Sequence, residues 1–294
     1  MNKKQPLLSI IIPCYNDPYF IKESVDSAIS QTYLNKEIII VDDGSNLETK
    51  KALASLKSRI DHLITQENKG LSAARNEGIK RSSGEFILVL DSDDFFEPEY
   101  CEIAAKVLLS SEDIKLATCY AKRFDEEGLI DIFKPIGGSI ENFLLFNAAI
   151  GNSLFRKKDW EFVKGYDERM TQGYEDWEFY IRLLANGGEA YVINEPLFNY
   201  RQKKKSMRTE ANEIRYELQK YIYFKHSNLY KDHYNLFIDH LLKRIEKEEN
   251  EKLKNTKRIE FKIGETILKP MRFIKAQLKL NFRCLSSKHF NLNN

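Results

Sequence analysis

The first ninety or so residues alternate two kinds of hydrophobic pattern. Four short aliphatic runs, LLSIII (7–12), EIIIVDD (37–43), HLITQ (62–66) and EFILVLD (85–91), are rich in Ile, Val and Leu and end in turn residues, as buried strands do. Between them lie segments of helical period. Asp17-Pro18 opens one in which Ile21, Val25, Ala28 and Ile29 share a face, Ser45 or Asn46 caps a second that runs to about Leu56, and Gly70 precedes a third, LSAARNEGIKRS. Strand and helix at this rhythm require crossover connections. The expectation is an α/β fold with a mostly parallel central sheet flanked by helices.

Residues 115–196 read as mixed: KLATCYAKRF as a strand, GNSLFRKKDWEFVKGYDERM as strand then helix, EDWEFYIRLLANGG as a helix closed by Gly187-Gly188, and AYVIN as a final strand. After Tyr200 the strand signal stops, and 208–254 are helical, charged and aromatic. The pattern therefore divides into a domain over 1–205 and a helical C-terminal extension over 206–294.

Composition adds an asymmetry. The chain of 294 residues is 42% hydrophobic, enough for a sizeable core, with a net charge of +2. Residues 252–294 hold eleven Lys/Arg against Glu260 and Glu265, a formal +9 that leaves −7 for 1–251. Ile267, Met271, Ile274, Leu278, Phe282 and Leu285 form one helical stripe in this tail, with Lys269, Arg272, Lys275, Lys279 and Arg283 off it. Such a helix suits an anionic membrane surface, and an apolar stripe packed on the body or in a homo-oligomer is the other reading. Cys14, Cys101, Cys119 and Cys284 are scattered without a CxxC pair, which fits neither a disulfide framework nor a zinc site and points to a reducing cytoplasm. Pro13, Tyr15, Asn16 and Asp17 end the N-terminal apolar run too soon for a signal peptide, and no run reaches the ~18–20 residues of a membrane span. The expected location is cytoplasmic, peripheral on the inner face of the membrane.

Open parallel sheets bind ligands beyond the carboxyl ends of their strands. Those ends carry PCYND, DDGS, ENKG and DSDD, a polar crevice on geometric grounds. Neither GxGxxG nor GxxxxGK[ST] follows a strand, which counts against a dinucleotide dehydrogenase or a P-loop enzyme. In DSDD, carboxylates crowd a strand tip, where they repel unless a cation or donors compensate them. A hard divalent ion is one answer. Asp91 capping a turn before a helix at Glu97-Pro98 is the other.

The blocks SIIIPCYN (9–16), SAISQTY (27–33), EIIIVDDGS (37–45), NKGLSAARNEGI (68–79), GEFILVLDSDD (84–94) and GYEDWEFYIRL (173–183) stand in the order and spacing of the family 2 glycosyltransferases, which the chain resembles over about 195 residues. The resemblance implies the GT-A fold and inverting transfer of a sugar from a nucleotide-diphospho-sugar, a UDP-sugar, to a glycan, lipid-linked or protein-linked acceptor in surface polysaccharide or glycoconjugate synthesis. It implies that Pro13, Tyr15, Asn16 and Asp43 line the base pocket with Asp42 supporting the turn, that Gly70 and Arg75 face the nucleotide, that Asp91 contacts the nucleotide, and that Asp93 ligates Mn2+ or Mg2+ with Asp94 beside it. It makes Asp176 the general base, with Glu175 and Trp177 on the acceptor side. Many relatives carry Tyr-Arg-x-His after the last strand; here NYRQKKKSM has Lys203 in place of that His, with Arg201 and Lys203 in a lid. Lys203, Lys204 or Lys205 then reaches the diphosphate. Other readings are a sugar nucleotidyltransferase, whose Gly- and Arg-rich N-terminal loop is not found, and a catalytically silent nucleotide-sugar-binding scaffold. No nucleic acid partner is expected. His226, His233 and His240 recur every seven residues on one expected helix face, ~10 Å apart, too far for one metal.

Overall fold

The computed structural model describes residues 5–203, 211–258, 261–264 and 266–268. Lys204, Lys205, Ser206, Met207 and the tail from Met271 through Leu285, with Cys284, lie outside the described residues. Nine strands form one sheet among the described residues: β1 Leu8–Cys14, β2 Lys36–Asp43, β3 His62–Gln66, β4 Phe86–Val89, β5 Phe95–Phe96, β6 Ile114–Asp125, β7 Gly128–Phe133, β8 Leu154–Arg156 and β9 Glu189–Arg201. They lie in the order β3-β2-β1-β4-β8-β6-β9-β5, with β7 against β6. The helices are α1 Ile21–Ser30, α2 Leu47–Leu56, α3 Leu71–Arg81, α4 Tyr100–Ser110, α5 Ile140–Leu145, α6 Lys157–Phe162, α7 Glu175–Leu184, α8 Arg215–Lys225, α9 Ser227–Asp232 and α10 Tyr234–Lys257.

The N-terminal half follows the hydrophobic pattern closely. β3, β2, β1 and β4 pair in parallel, and Ile10, Ile11 and Ile12 of β1 are wholly buried. Burying each such side chain stabilises the fold by ~1.5–3 kcal/mol. Asn46 caps α2 by accepting from Thr49 N–H at 2.9 Å. α3 lies on the sheet through Gly78, where a Cβ would stand 2.4 Å from Ile11 Cγ2.

In the second half the sheet is mixed. β8 runs antiparallel to β4 and β6, β7 to β6 and β5 to β9, and only β6 and β9 pair in parallel there. The last strand extends well past AYVIN to Arg201. Pro196 lacks the N–H a ladder needs, and the chain absorbs it where the register against β6 shifts around Tyr120. β5 was not anticipated because two residues carry no periodicity.

One compact unit runs to Tyr234 and a second begins at Asn235. Charge ties the end of α8 to α7. Glu178 of α7 is fully buried, and Arg182 Nη2 at 2.7 Å, Lys225 Nζ at 2.7 Å and His226 Nε2 at 2.9 Å surround its carboxylate. Lys225 also meets Asp167 at 2.5 Å. The histidines do not share one helix face: α8 ends at Lys225 and α9 at Asp232, with His226 and His233 at the breaks that follow them.

Candidate functional site

The four polar strand ends converge, and backbone close approach brings them together. Asn16 sits in the left-handed region at φ 51°, a conformation Asn tolerates better than most residues. Its N–H donates to Ser45 Oγ at 3.1 Å and its Oδ1 accepts from Asn46 N–H at 2.7 Å, which laces the first turn to the second. Gly44, at φ 75°, faces the third turn so closely that a Cβ would stand 2.7 Å from Asn68 N. Pro13 is buried beneath the turn, and Tyr15 leaves its ring 53% exposed, an open flat face.

Asp42 and Asp43 are both buried. Asp42 Oδ1 accepts from Ser45 N–H at 2.9 Å, the turn-supporting role expected of it. Asp43 Oδ1 accepts from Gln66 Nε2 at 2.7 Å and Lys69 N–H at 2.8 Å, and Oδ2 from Gly70 N–H at 2.8 Å. Its carboxylate thus builds the loop after β3.

Arg75, expected to face the nucleotide, is 2% exposed. Its Nη2 donates to Asp91 Oδ1 at 2.8 Å and its Nη1 to Glu175 Oε1 at 2.7 Å. One guanidinium therefore ties the strand tip after β4 to the start of α7. Glu175, expected toward the acceptor, is buried on this bridge. Burial pushes its carboxyl up to about 7, with Arg75 opposing and the neighbouring Asp176 charge adding to the rise.

The acidic cluster divides its labour. Asp94 is 1% exposed, accepts from Arg201 N–H at 2.8 Å, and buries Oδ2 without a partner. Burial, followed by the charges of Asp93 and Asp91, pushes its carboxyl well above the usual range. Asp93 remains open, its side chain 28% exposed with Lys203 Nζ at 2.8 Å. Burial raises its carboxyl, and Lys203 opposes the rise. Arg201 donates from Nε to Asp93 O at 3.0 Å and stacks its guanidinium 4.2 Å over the Phe20 ring. Lys203 also lies 3.9 Å from Asp17, and Asp17 in turn accepts from Ser92 Oγ at 2.8 Å.

At the far end Tyr174, at φ 64°, turns the chain into α7. Asp176 Oδ1 accepts from Trp177 N–H at 2.8 Å and Oδ2 from Asn147 Nδ2 at 2.7 Å. Burial raises its carboxyl, against the pull of Arg75 and these two hydrogen bonds. Trp177, expected on the acceptor side, turns inward and donates from Nε1 to Phe143 O at 2.5 Å. Asn147 carried no motif in the sequence. Nothing but its place in the fold, on the loop after α5, brings it to Asp176.

The profile of "Glycosyl transferase family 2" matches residues 9–159, from β1 into α6. The chain belongs to this family. A second profile, "N-terminal domain of galactosyltransferase", matches residues 145–227. Among family 2 relatives, an uncharacterized glycosyltransferase of Haemophilus influenzae is 32% identical over 70% of this chain and 72% of its own length. Glycosyltransferase GlyA of Streptococcus pneumoniae is 30% identical over 68% of this chain but only 31% of itself. The chain thus spans about a third of GlyA, and likewise 36% of the Bacillus subtilis putative glycosyltransferase EpsH. The GT-A-like fold is shared with S. aureus TarS 1-349 in complex with UDP-GlcNAc (TM-score 0.59, 19% identity, 69% of this chain and 61% of that one). It is shared too with the mannosyltransferase PcManGT from Pyrobaculum calidifontis in complex with GDP-Man and Mn2+ (TM-score 0.56, 17% identity, 70% and 60%).

Among the described residues no group of three or more His, Cys, Asp or Glu gathers for a metal ion. Mg2+ and Mn2+ do not need one in a nucleotide site, because one or two carboxylates suffice when phosphate oxygens and water complete the shell. The open Asp93 carboxylate, with the unpartnered Asp94 Oδ2 behind it, fits a hard cation of that kind.

Proposed function

We propose that the chain is a metal-dependent, inverting glycosyltransferase of the hexosyltransferase class. It moves a sugar from a nucleotide-diphospho-sugar, a UDP-sugar, to a hydroxyl of a glycan or lipid-linked acceptor. The observation that carries this is the Arg75 bridge: it sets the nucleotide-side Asp91 and the base-side Glu175-Asp176 pair on the two ends of one buried guanidinium. TarS solved with UDP-GlcNAc and PcManGT solved with GDP-Man and Mn2+ support a nucleotide-sugar donor.

In this reading Tyr15 offers its exposed face to the base, and Asp43 uses its remaining lone pair on a base N–H. Asp93 would hold a divalent ion, which when bound would neutralise charge gathering on the diphosphate. The acceptor oxygen bonds to the anomeric carbon from the face opposite the diphosphate. As the old C–O bond breaks, its electron pair leaves with the nucleoside diphosphate, and the hydroxyl proton passes to Asp176. A single displacement inverts configuration. Lys203 stands at the diphosphate end as a fixed cation on Asp93. The basic tail, mostly outside the described residues, supports a peripheral place on an anionic membrane, with the reaction in synthesis of surface polysaccharide or glycoconjugate.

The test is a screen of UDP- and GDP-sugars for Mn2+- or Mg2+-dependent release of nucleoside diphosphate, repeated with Asp93→Asn and Asp176→Asn. Release that requires the ion and both carboxylates supports the reading. No release from any donor, together with no metal binding, overturns it in favour of a silent scaffold.

A further inference from the structure

Asp176 is held from three sides. Trp177 N–H donates to Oδ1 at 2.8 Å, a bond that belongs to the first turn of α7 itself. Gly151 presses from another side, where a Cβ would stand 3.0 Å from Oδ2. The third holder is Asn147, whose Nδ2 donates to Oδ2 at 2.7 Å. Its own Oδ1 is buried and has no partner among the described residues, so the amide's one hydrogen bond goes to Asp176. A buried, unpaired carbonyl oxygen opposes folding, and a leucine of similar volume would fill the same space without that penalty. Packing alone therefore does not account for an amide here.

We propose that Asn147, on the loop between α5 and β8, is a positioning residue for sugar transfer: its amide fixes the Asp176 carboxylate against Gly151 in one rotamer. The carboxylate has about four lone-pair positions, and the two donors leave the others for the hydroxyl proton of the acceptor. The inference rests on Asp176 being the base. The charged and titratable groups that face Asp176 are Glu175 on its own helix, Arg75 from α3, Asp91 from the end of β4, Tyr166 from the loop after α6 and Tyr180 one turn along α7. Within that set burial and Asp91 favour the neutral acid, while Arg75, the Trp177 N–H and Asn147 favour the carboxylate. Asn147 is the one side-chain hydrogen bond among the latter.

The experiment uses the full chain with carboxyl-13C aspartate, the Asp176 resonance being assigned by its loss in Asp176→Asn. Asn147→Ala is expected to raise the apparent pKa of the Glu175-Asp176 pair by about one unit, a tenfold change in proton affinity. Asn147→Asp raises it further, and Asn147→Ser, which keeps a donor, restores part of it. In parallel, release of UDP from UDP-GlcNAc, UDP-glucose and UDP-galactose reports turnover; for the donor used, kcat falls about ten- to a hundred-fold in Asn147→Ala with donor KM unchanged. An unshifted resonance in a variant with wild-type circular dichroism and Tm overturns the positioning role. Should Asn147→Ala not fold, the same reading is taken from Asn147→Ser. Undiminished UDP release by Asp176→Asn, with the titration shift intact, overturns the base assignment instead.

Discussion

Arg75 Nη1 and Glu175 Oε1 lie 2.7 Å apart, with both side chains removed from solvent. The residues are a hundred positions apart in sequence, and the pair joins α3 of the parallel half to the start of α7, next to Asp176.

That pair is expected to be indispensable singly and dispensable jointly. Arg75→Met leaves Asp91 and Glu175 without their shared cation, and breaking a buried pair from one side typically destabilises by ~3–5 kcal/mol. Combining Arg75→Met with Glu175→Gln is expected to recover more than half of the loss. Urea unfolding of the two variants checks it; equal losses would show the bridge contributes nothing specific.

Lys203 competes with any divalent ion for Asp93, since its ammonium stands 2.8 Å from that carboxylate. Removing a partly exposed pair of this kind shifts affinity by up to ~1 kcal/mol. Lys203→Met is therefore expected to lower the half-activating Mn2+ concentration about fivefold. Manganese titration of UDP release reads the effect, and an unchanged or higher requirement would mean that the lysine assists the cation.

The rate should depend on pH above the usual carboxylate range. A base works only when deprotonated, and burial raises the Asp176 carboxyl above its ordinary value. Activity is expected to fall as pH drops toward the ordinary carboxylate range, and to do so before that range is reached. A kcat profile that stays flat down to pH 5 contradicts this.

Glu178 has the opposite sign. Burial works to raise its carboxyl, but hydrogen bonds from His226, Arg182 and Lys225 hold it down at about 2, so its folded pKa lies below the unfolded one. Its contribution is complete above pH ~4.5 and is lost as pH falls toward 2, on the order of 2–3 kcal/mol. Because the raised carboxyls titrate the other way, the measurement is the difference in unfolding free energy between wild type and Glu178→Gln across pH 2–6. The difference should shrink as pH falls.

A chain ended after residue 205 is expected to be poorly soluble, because Glu178 and Asp167 lose Lys225 and His226. One ended after Tyr234 keeps them. Soluble yield and thermal unfolding of the two truncations decide the point.

The parallel half was legible because burial on both faces demands continuous aliphatic runs, and Ile10–Ile12 of β1, Ile38–Val41 of β2 and Phe86–Val89 of β4 supply them. The strand-end carboxylates were legible for the same reason: charge after such a run must be held by something. Pro196 hid the second half of β9, and the breaks at His226 and His233 hid behind a regular seven-residue spacing. The inward turn of Trp177 and the burial of Glu175 could not be read from their motif, since a motif fixes neighbours in sequence while both side chains answer to neighbours in space. Asn147 is the extreme case, 29 residues from the group it serves.

The same guanidinium has a bearing on descent. Asp43, Asp91 and Asp93 are encoded within the first hundred codons and Asp176 far downstream, so the two ends of the crevice are able to drift or recombine as separate inheritances. Arg75 is where they must agree. A hybrid of two relatives joined between β4 and α7 inherits a working crevice only if the arginine from one parent finds its glutamate in the other.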